Sequence, residues 1–436
     1  MTLTFVQILP IIMVFVFYFL GMPIVYSLFG STFFYFLFLD TSSQPWLILQ
    51  KVMNSTQSFS MLAIPFFIMS GSVMNFGGIS DKLMDFCECV TGHMRGGLAQ
   101  VNVLLSMLMG GCSGSANADC AMQSKMLVPE MEKRGYSKAF SAAITAASSA
   151  ATPVIPPGVN LIVFTLIAQA SLGRMFAAGY IPGFLMSISM MITVAIIARK
   201  RHYPKTREKF PPVREVLKQA FISFWGLFFP FGIILGMRFG MFTPSEGGAF
   251  AVLYCFIIGK FVYKKLSFRE HFIPIILDTI AGTSSVVLIM VSANVFGDYM
   301  SWVNLPKIVA KAVLDLTTNK YIFLLLCNLI LLIMGMFLEG GAALMIITPL
   351  LLPVALQLGI NVYHFGIVAL VNIMIGGITP PFGSMMFTTC GITGCKITDF
   401  LKEVWPFIVC LFAVLMLLTF FPVLTTIIPD LLYGAA

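Results

Sequence analysis

Apolar residues run through this chain in stretches of about twenty, separated by short polar segments, and the alternating ten-residue strands of a membrane barrel are absent. The pattern predicts an all-α polytopic membrane protein. Two stretches depart from it. Ile79 to Val90 interleaves Asp81, Lys82, Asp85 and Glu88 with Leu83, Met84 and Phe86, and Trp302 to Leu316 interleaves Lys307, Lys311 and Asp315 with six apolar positions. Both read as amphipathic helices at the membrane surface, with an ordinary connecting loop as the alternative.

A second departure is internal to the apolar runs. ATPVIPPGVN, Ala151 to Asn160, sits between Ala139 to Ala150 and Leu161 to Ala170. Each proline removes a backbone donor and costs about 3 kcal/mol or more in a helix interior. NIMIGGITPPFGSMM, Asn372 to Met386, repeats the interruption. A shift of 224 residues superposes Pro156 and Pro157 on Pro380 and Pro381, Pro129 on Pro353, Pro182 on Pro406, Gly135 on Gly359 and Phe176 on Phe400. Four matches among only 23 prolines in 436 residues identify a duplicated unit. Each unit contains a span, a surface helix, an apolar stretch folded on itself at small residues, a Pro-broken span and a closing span. The folded stretches run from about Leu98 to Pro129, turning at GGCSGSANAD (Gly110 to Asp119), and from about Tyr321 to Pro353, turning at FLEGGA (Phe337 to Ala342). Neither arm is comfortably long enough to cross alone, so both are expected to be re-entrant hairpins.

Composition agrees: 58% hydrophobic and 10% charged residues leave too much apolar surface for a water-soluble domain. The net charge of +8 is concentrated beside the apolar runs, from Arg199 to Lys218 and at Lys260, Lys264, Lys265 and Arg269. That placement reports membrane orientation, not nucleic-acid binding, and puts loops 199–219 and 260–271 in the cytoplasm. Five crossings then separate Arg199 from its shifted counterpart, an odd number, so the two units insert in opposite directions. Inverted repeats with interrupted helices describe a secondary transporter. The expected organisation is N-terminal scaffold spans at 1–59; a first inverted repeat at 60–198 (hairpin about 98–130, broken helix about 139–172); a basic loop, two scaffold spans and a second basic loop at 199–272; a second repeat at 273–428 (hairpin about 321–356, broken helix about 364–393); and a tail at 429–436. The nine cysteines are scattered without a C-x-x-C pair and read as neither disulfides nor metal ligands.

Irregular backbone at membrane depth is tolerated where protein, ligand or water satisfies it. Hairpin tips and half-helix ends can therefore cradle a cation or an anionic group. At the first tip Ser113, Ser115, Asn117 and Asp119 crowd a glycine-rich turn expected to face Thr152 to Asn160; a carboxylate among hydroxyl, amide and carbonyl oxygens suits sodium. At the second, Glu339 supplies the carboxylate, and Gly376, Ile378, Thr379 and Gly383 surround the break. An ionisable group in an apolar stretch is a functional candidate. The same small residues would also let helices pack closely, and the hydroxyls could bond only to backbone. No arginine lies in either tip or break, so the carboxylate of an anionic substrate is expected on backbone amides, hydroxyls or helix ends, and not on Arg95 or Arg174. Glu246 in FTPSEGGAF is expected to open a helix capped by Thr243 or Ser245. His364, at a helix start, reads as a cap or interfacial residue; paired with Ser113 it is the alternative of an intramembrane hydrolase. No P-loop string is present.

The strings AIPFFIMSGSVMNFGGIS, GGLAQVNVLLSMLMGGCSGSANAD, TAASSAATPVIPPG, GMFTPSEGGA and FLEGGAALMIITPLLLPVALQLGINVYHFGIVALVNIMIGGITPPFG, spread nearly end to end, closely resemble the large membrane subunit of TRAP transporters, the tripartite ATP-independent periplasmic family. The resemblance implies a multi-pass protein of a bacterial inner membrane. Its partners would be a small four-helix membrane subunit, expected as a separate polypeptide, and a periplasmic substrate-binding protein. Its activity would be sodium-coupled uptake of an organic acid by an elevator-like movement of hairpins and broken helices, with sodium as coupling ion and no cofactor. Carried over by position, a first sodium site would comprise Ser113, Ser115, Asn117, Asp119, Thr152, Pro153, Ile155 and Gly158. A second would comprise Glu339, Gly340, Gly376, Ile378, Thr379 and Gly383. Ser113, Gly114, Asn160, Pro157 and Pro381 would meet the substrate. Glu339 stands where the resemblance leads one to expect aspartate, and Asn117 where an apolar residue is usual. A stand-alone carboxylate symporter of similar design is the alternative within transport.

Overall fold

Proline, glycine and capping side chains divide the apolar runs into 21 α-helices; the computed structural model describes residues 5–40, 46–57 and 59–434 and contains no strand among them. The N-terminal part supplies α1 (Phe5–Phe19), α2 (Ile24–Phe34) and α3 (Trp46–Thr56). A first series follows: α4 (Ala63–Phe76), α5 (Ile79–Thr91), α6 (Gly97–Ser113), α7 (Ala116–Lys133), α8 (Lys138–Ser149), α9 (Val159–Ala168) and α10 (Leu172–Arg201). Three helices intervene: α11 (Val213–Ile222), α12 (Phe224–Arg238) and α13 (Pro244–Ile257). A second series then runs through α14 (Phe268–Trp302), α15 (Leu305–Leu316), α16 (Lys320–Phe337), α17 (Gly340–Gln357), α18 (Val362–Gly376), α19 (Ser384–Thr393) and α20 (Ile397–Phe420), before α21 (Val423–Tyr433). The two series match helix for helix, and α7 and α17 are both 18 residues long at the 224-residue shift.

Six helices are long and apolar enough to cross a membrane, or eight segments if each of two bent pairs is one span, among the described residues. One bent pair is α4 with α5, turning 67° at Gly77 and Gly78, where Gly78 takes φ +74. Glycine reaches that left-handed region at no steric cost. The helix α5 lies where the amphipathic pattern put it. Its counterpart α15 begins at Leu305, later than the pattern suggested, because α14 continues to Trp302 and Asn304 makes the turn at φ +56.

Both folded stretches turn more tightly than their sequences suggested. Gly110 to Ser113 and Ala116 to Asp119 are helical, so Gly114 (φ +58) and Ser115 alone make the first connection. Ser115 also caps α7, accepting a hydrogen bond from Ala118 N at 3.5 Å. Leu338 and Glu339 make the second. Keeping the small residues helical lengthens the arms. The arms α16 and α17 have 18 residues each and are long enough to cross by length and composition, contrary to the expectation that neither could. The predicted breaks lie at Ala150–Gly158 and Gly377–Gly383, and the Pro156–Pro157 and Pro380–Pro381 bonds are both cis.

Close approach of helices rests on missing side chains. A Cβ on Gly335 of α16 would lie 2.6 Å from the Ile373 carbonyl oxygen, and one on Gly376 2.6 Å from Gly335 C, so the second hairpin meets α18 backbone to backbone. Gly282 of α14 crosses α4 at Ile68, and Gly248 of α13 crosses it at Phe66. The start of α13 is a capping box in which Thr243 N donates to Glu246 Oε2 at 2.8 Å, as its sequence suggested. His364 is buried inside α18 with Nδ1 2.9 Å from Thr425 Oγ1, and Asn361 provides the cap in its place.

Candidate functional site

Asp119 lies one turn inside α7, fully buried. Its carboxylate accepts from Ser106 Oγ of the facing arm at 2.8 Å, from Gln123 Nε2 at 2.9 Å and from Thr152 Oγ1 in the break at 3.1 Å. Around it Ser148 Oγ donates to Asn102 Oδ1 at 2.7 Å and Asn102 Nδ2 to Thr145 Oγ1 at 2.8 Å. Hairpin and broken helix are thus joined by a buried polar network whose donors to the acid are all neutral. A carboxylate with such partners retains acceptor capacity for a cation. Tip and break also meet through backbone, Val159 N donating to Gly114 O at 3.3 Å.

The second half lacks that network. Positions equivalent to Ser106, Asp119, Gln123 and Thr152 are Ile330, Ala343, Ile347 and Gly376. Its buried polar cluster is smaller: Asn372 Nδ2 donates to Asn328 Oδ1 at 3.0 Å and Asn328 Nδ2 to Thr419 Oγ1 at 2.9 Å. Thr379 spends its hydroxyl on Ile375 O at 2.6 Å.

The two tips converge on one cavity of about 510 Å³. From the first half it is lined by Gly114, Ser115, Asn117 and Asn160, and from the second by Glu339, Gly340, Gly377 and Ser384. At the 224-residue shift, Ser115 corresponds to Glu339 and Asn160 to Ser384. Asn160 reaches across: a Cβ on Gly340 would stand 2.8 Å from its Nδ2 and 2.3 Å from Met374 Cε, so a side chain there would displace the ends of both. The opposite wall comes from α4 and α14, with Ser72, Asn75, Asp278 and Ser285. Ser72 Oγ donates to Asp278 Oδ2 at 3.2 Å. Two carboxylates and no basic side chain are found among the described lining residues.

The proposed ligands thus separate into two places. Gly114, Ser115, Asn117, Asn160, Glu339 and Gly340 line the cavity, whereas Asp119 and Thr152 meet behind the first tip. Asn117 Oδ1 is buried without a partner among the described residues. Ile155 fills space against Gly110 and Gly183 instead of offering a side-chain ligand, and Pro153 turns its carbonyl against Gly158. Gly376, Ile378 and Gly383 shape the second break, where Gly383 sits against the Gly377 and Thr379 carbonyls. Pro157 is buried, Pro381 is exposed, and neither lines the cavity. The side chain of Ser113 lies outside the described residues. Arg174 donates to the carbonyls of Tyr433 and Gly434 at 2.9 Å and, like Arg95, is not in the cavity wall. Sequence reasoning missed Ser106, Gln123 and Asn102, whose signal was polar residues in apolar runs, and the whole α4–α14 wall; Asp278, an acid inside a 35-residue helix, was the available clue.

Paired helix series meeting at one cavity, with six or more helices long and apolar enough to cross a membrane among the described residues, describe a multi-pass membrane protein. The fold is shared with the YdaH transporter of Alcanivorax borkumensis, at a TM-score of 0.64 and 15% identity over 94% of this chain and 98% of that one. Residues 11–424 match the family of the tripartite ATP-independent periplasmic transporter, DctM component, and the chain belongs to that family of transporters. It is 36% identical to the sialic acid TRAP transporter large permease protein SiaM of Vibrio cholerae, over 95% of this chain and 96% of that protein. It is 33% identical to the C4-dicarboxylate TRAP transporter large permease protein DctM of Pseudomonas aeruginosa, over 87% and 88% respectively. The sialic acid TRAP transporter permease protein SiaT of Haemophilus influenzae is 34% identical over 95% of this chain and 67% of its own length. The protein is a TRAP transporter large permease, a transport protein and not an enzyme.

Proposed function

We propose that the chain imports its organic acid together with sodium ions, in a bacterial inner membrane, working with a small four-helix membrane subunit and a periplasmic binding protein. The observation that carries sodium coupling is the charge of the central cavity: Asp278 and Glu339 line it and no basic side chain does. A substrate carboxylate about 6 Å from one of these acids would be repelled by about 3 kcal/mol at an effective dielectric of about 20. That is roughly a hundredfold loss in affinity. Bound cations remove the penalty, so an anion enters favourably only when sodium is present.

The first sodium ion sits between hairpin and break near Asp119 and Thr152, with Ser115, Asn117 and backbone of Pro153 to Gly158 completing the neighbourhood. The second sits at Glu339 and Gly340 beside Gly376 to Gly383. The substrate acid rests on the tip at Gly114 and on Asn160 at the start of α9, where the half-helix terminus favours negative charge. Correspondence of the two helix series at one shift supports inverted repeats, 60–198 and 273–428. Their hairpins and broken helices move as one body against α4, α13 and α14, with the basic segments 199–219 and 260–271 cytoplasmic; both were expected as loops, but α11 takes 213–219 and α14 begins at Phe268.

Uptake of labelled sialic acid, C4-dicarboxylates and keto acids into proteoliposomes tests this. The vesicles hold the chain with its small subunit, with and without an inward sodium gradient and the binding protein. Uptake that needs both supports the tripartite sodium-driven reading. Uptake indifferent to sodium overturns the coupling, and uptake without the binding protein replaces the tripartite system with a stand-alone symporter.

A further inference from the structure

The stretch from Arg199 to Lys218 carries eight basic and two acidic residues, more than orientation alone requires. It is also a built surface. Thr206 N and Arg207 N both donate to Gly92 O, at 2.9 and 2.8 Å, and Tyr136 Oη donates to Pro204 O at 3.2 Å. These bonds strap the basic segment to the turn between α5 and α6 and to the base of the first hairpin. Arg207 continues the strap to α11 through an ion pair with Glu215 at 2.7 Å.

No residue of α11 is buried. Val213, Leu217 and Phe221, four apart and therefore on one face, are 68%, 64% and 82% exposed. Arg214 and Lys218, also four apart, lie together along one edge of that stripe and make no ion pair among the described residues. The helix meets the span α12 at a 60° bend. The bend is held by Ser223 Oγ donating to Lys82 O and Tyr263 Oη to Ile222 O, both at 2.7 Å. A membrane span entered at such an angle from an amphipathic helix places that helix in the headgroup plane, apolar stripe toward acyl chains and cations toward phosphates. Unpaired cations side by side along one edge of the stripe fit a negatively charged lipid surface.

We propose that α11 and the strap before it form a site for acidic phospholipid, in which Arg214 and Lys218 bind the phosphate-bearing headgroup while Val213, Leu217 and Phe221 seat in the acyl region. The site is independent of which organic acid is carried. Native mass spectrometry of the full-length protein titrated with phosphatidylglycerol or phosphatidylcholine tests it. Phosphatidylglycerol is expected to bind at least tenfold more tightly. R214Q/K218Q is expected to bring the two lipids within twofold, R214K/K218R to keep the preference, and K260Q/K264Q at the other basic loop to leave it unchanged. Equal affinity for both lipids in the wild type, or an undiminished preference in a monodisperse, cooperatively melting R214Q/K218Q, overturns the proposal. So does a preference that vanishes once the small membrane subunit is bound and cross-links to α11 through L217C.

Discussion

Asp278 and Asp119 are both acids inside apolar helices, yet their surroundings assign them different tests. Asp278 faces the cavity with Ser72 as its one bonded partner among the described residues, so its charge acts on whatever enters. D278N is expected to lower the sodium concentration for half-maximal uptake severalfold, because less repulsion needs cancelling; a sodium titration of uptake in proteoliposomes checks this, and an unchanged sodium requirement refutes it. Asp119 is fully buried and accepts from three side chains. D119N turns an amide N–H toward those donors, and an unmet buried polar group costs about 1–3 kcal/mol. Its melting temperature in potassium should fall. The extra stabilisation the wild type gains in sodium over potassium should vanish, and its persistence would leave Asp119 a packing residue only. Asp119 and Glu339 were legible from sequence because each sits beside a glycine-rich turn. Asp278 offered only the cue of an acid in an apolar helix, with no glycine-rich turn beside it and its partner Ser72 206 residues away.

Among the helices, periodicity, proline and glycine read out the order almost completely. Errors fell at the hairpin turns, where glycine and serine were read as loop although α6 runs on through Gly110 to Ser113 and α7 already opens at Ala116, and in the basic loop, where Val213–Ile222 is helical. Small residues had two meanings, breaking a helix or admitting a neighbour, and only spatial contact separates them. Gly335 belongs to the second kind. With its would-be Cβ 2.6 Å from the Ile373 carbonyl, G335A should push the second hairpin off α18. Overpacking of this sort costs about 1–3 kcal/mol. Thermal unfolding of the purified variant should show the loss and uptake should fall with it, whereas G135A, with open space around it, is limited to the strain of its own positive φ.

For the whole molecule, the cavity lies between walls that belong to different parts of the chain: tips and half-helix ends on one side, α4 and α14 on the other. Relative movement of those walls should be visible as chemistry. S285C is expected to react with a membrane-impermeant maleimide in sodium-free buffer and to slow at least fivefold when sodium and a transported acid are added; equal rates in both conditions would exclude closure around the ligand. The division into walls could not be read from sequence, since hydropathy alone does not distinguish a span that holds still from one that moves.

The network around Asp119 exists in one half of the chain only. If the two halves insert in opposite directions, as proposed, and were identical, rotating one onto the other would exchange an outward-open with an inward-open shape, and the two would be isoenergetic. No resting preference, and no difference between the sodium affinities of the two shapes, could then exist. On the proposed mechanism, any bias between facing out and facing in comes from the positions where the halves disagree, the pair Asp119 and Ala343 among them, or from α1–α3, α11–α13 and α21, which have no counterpart in either series.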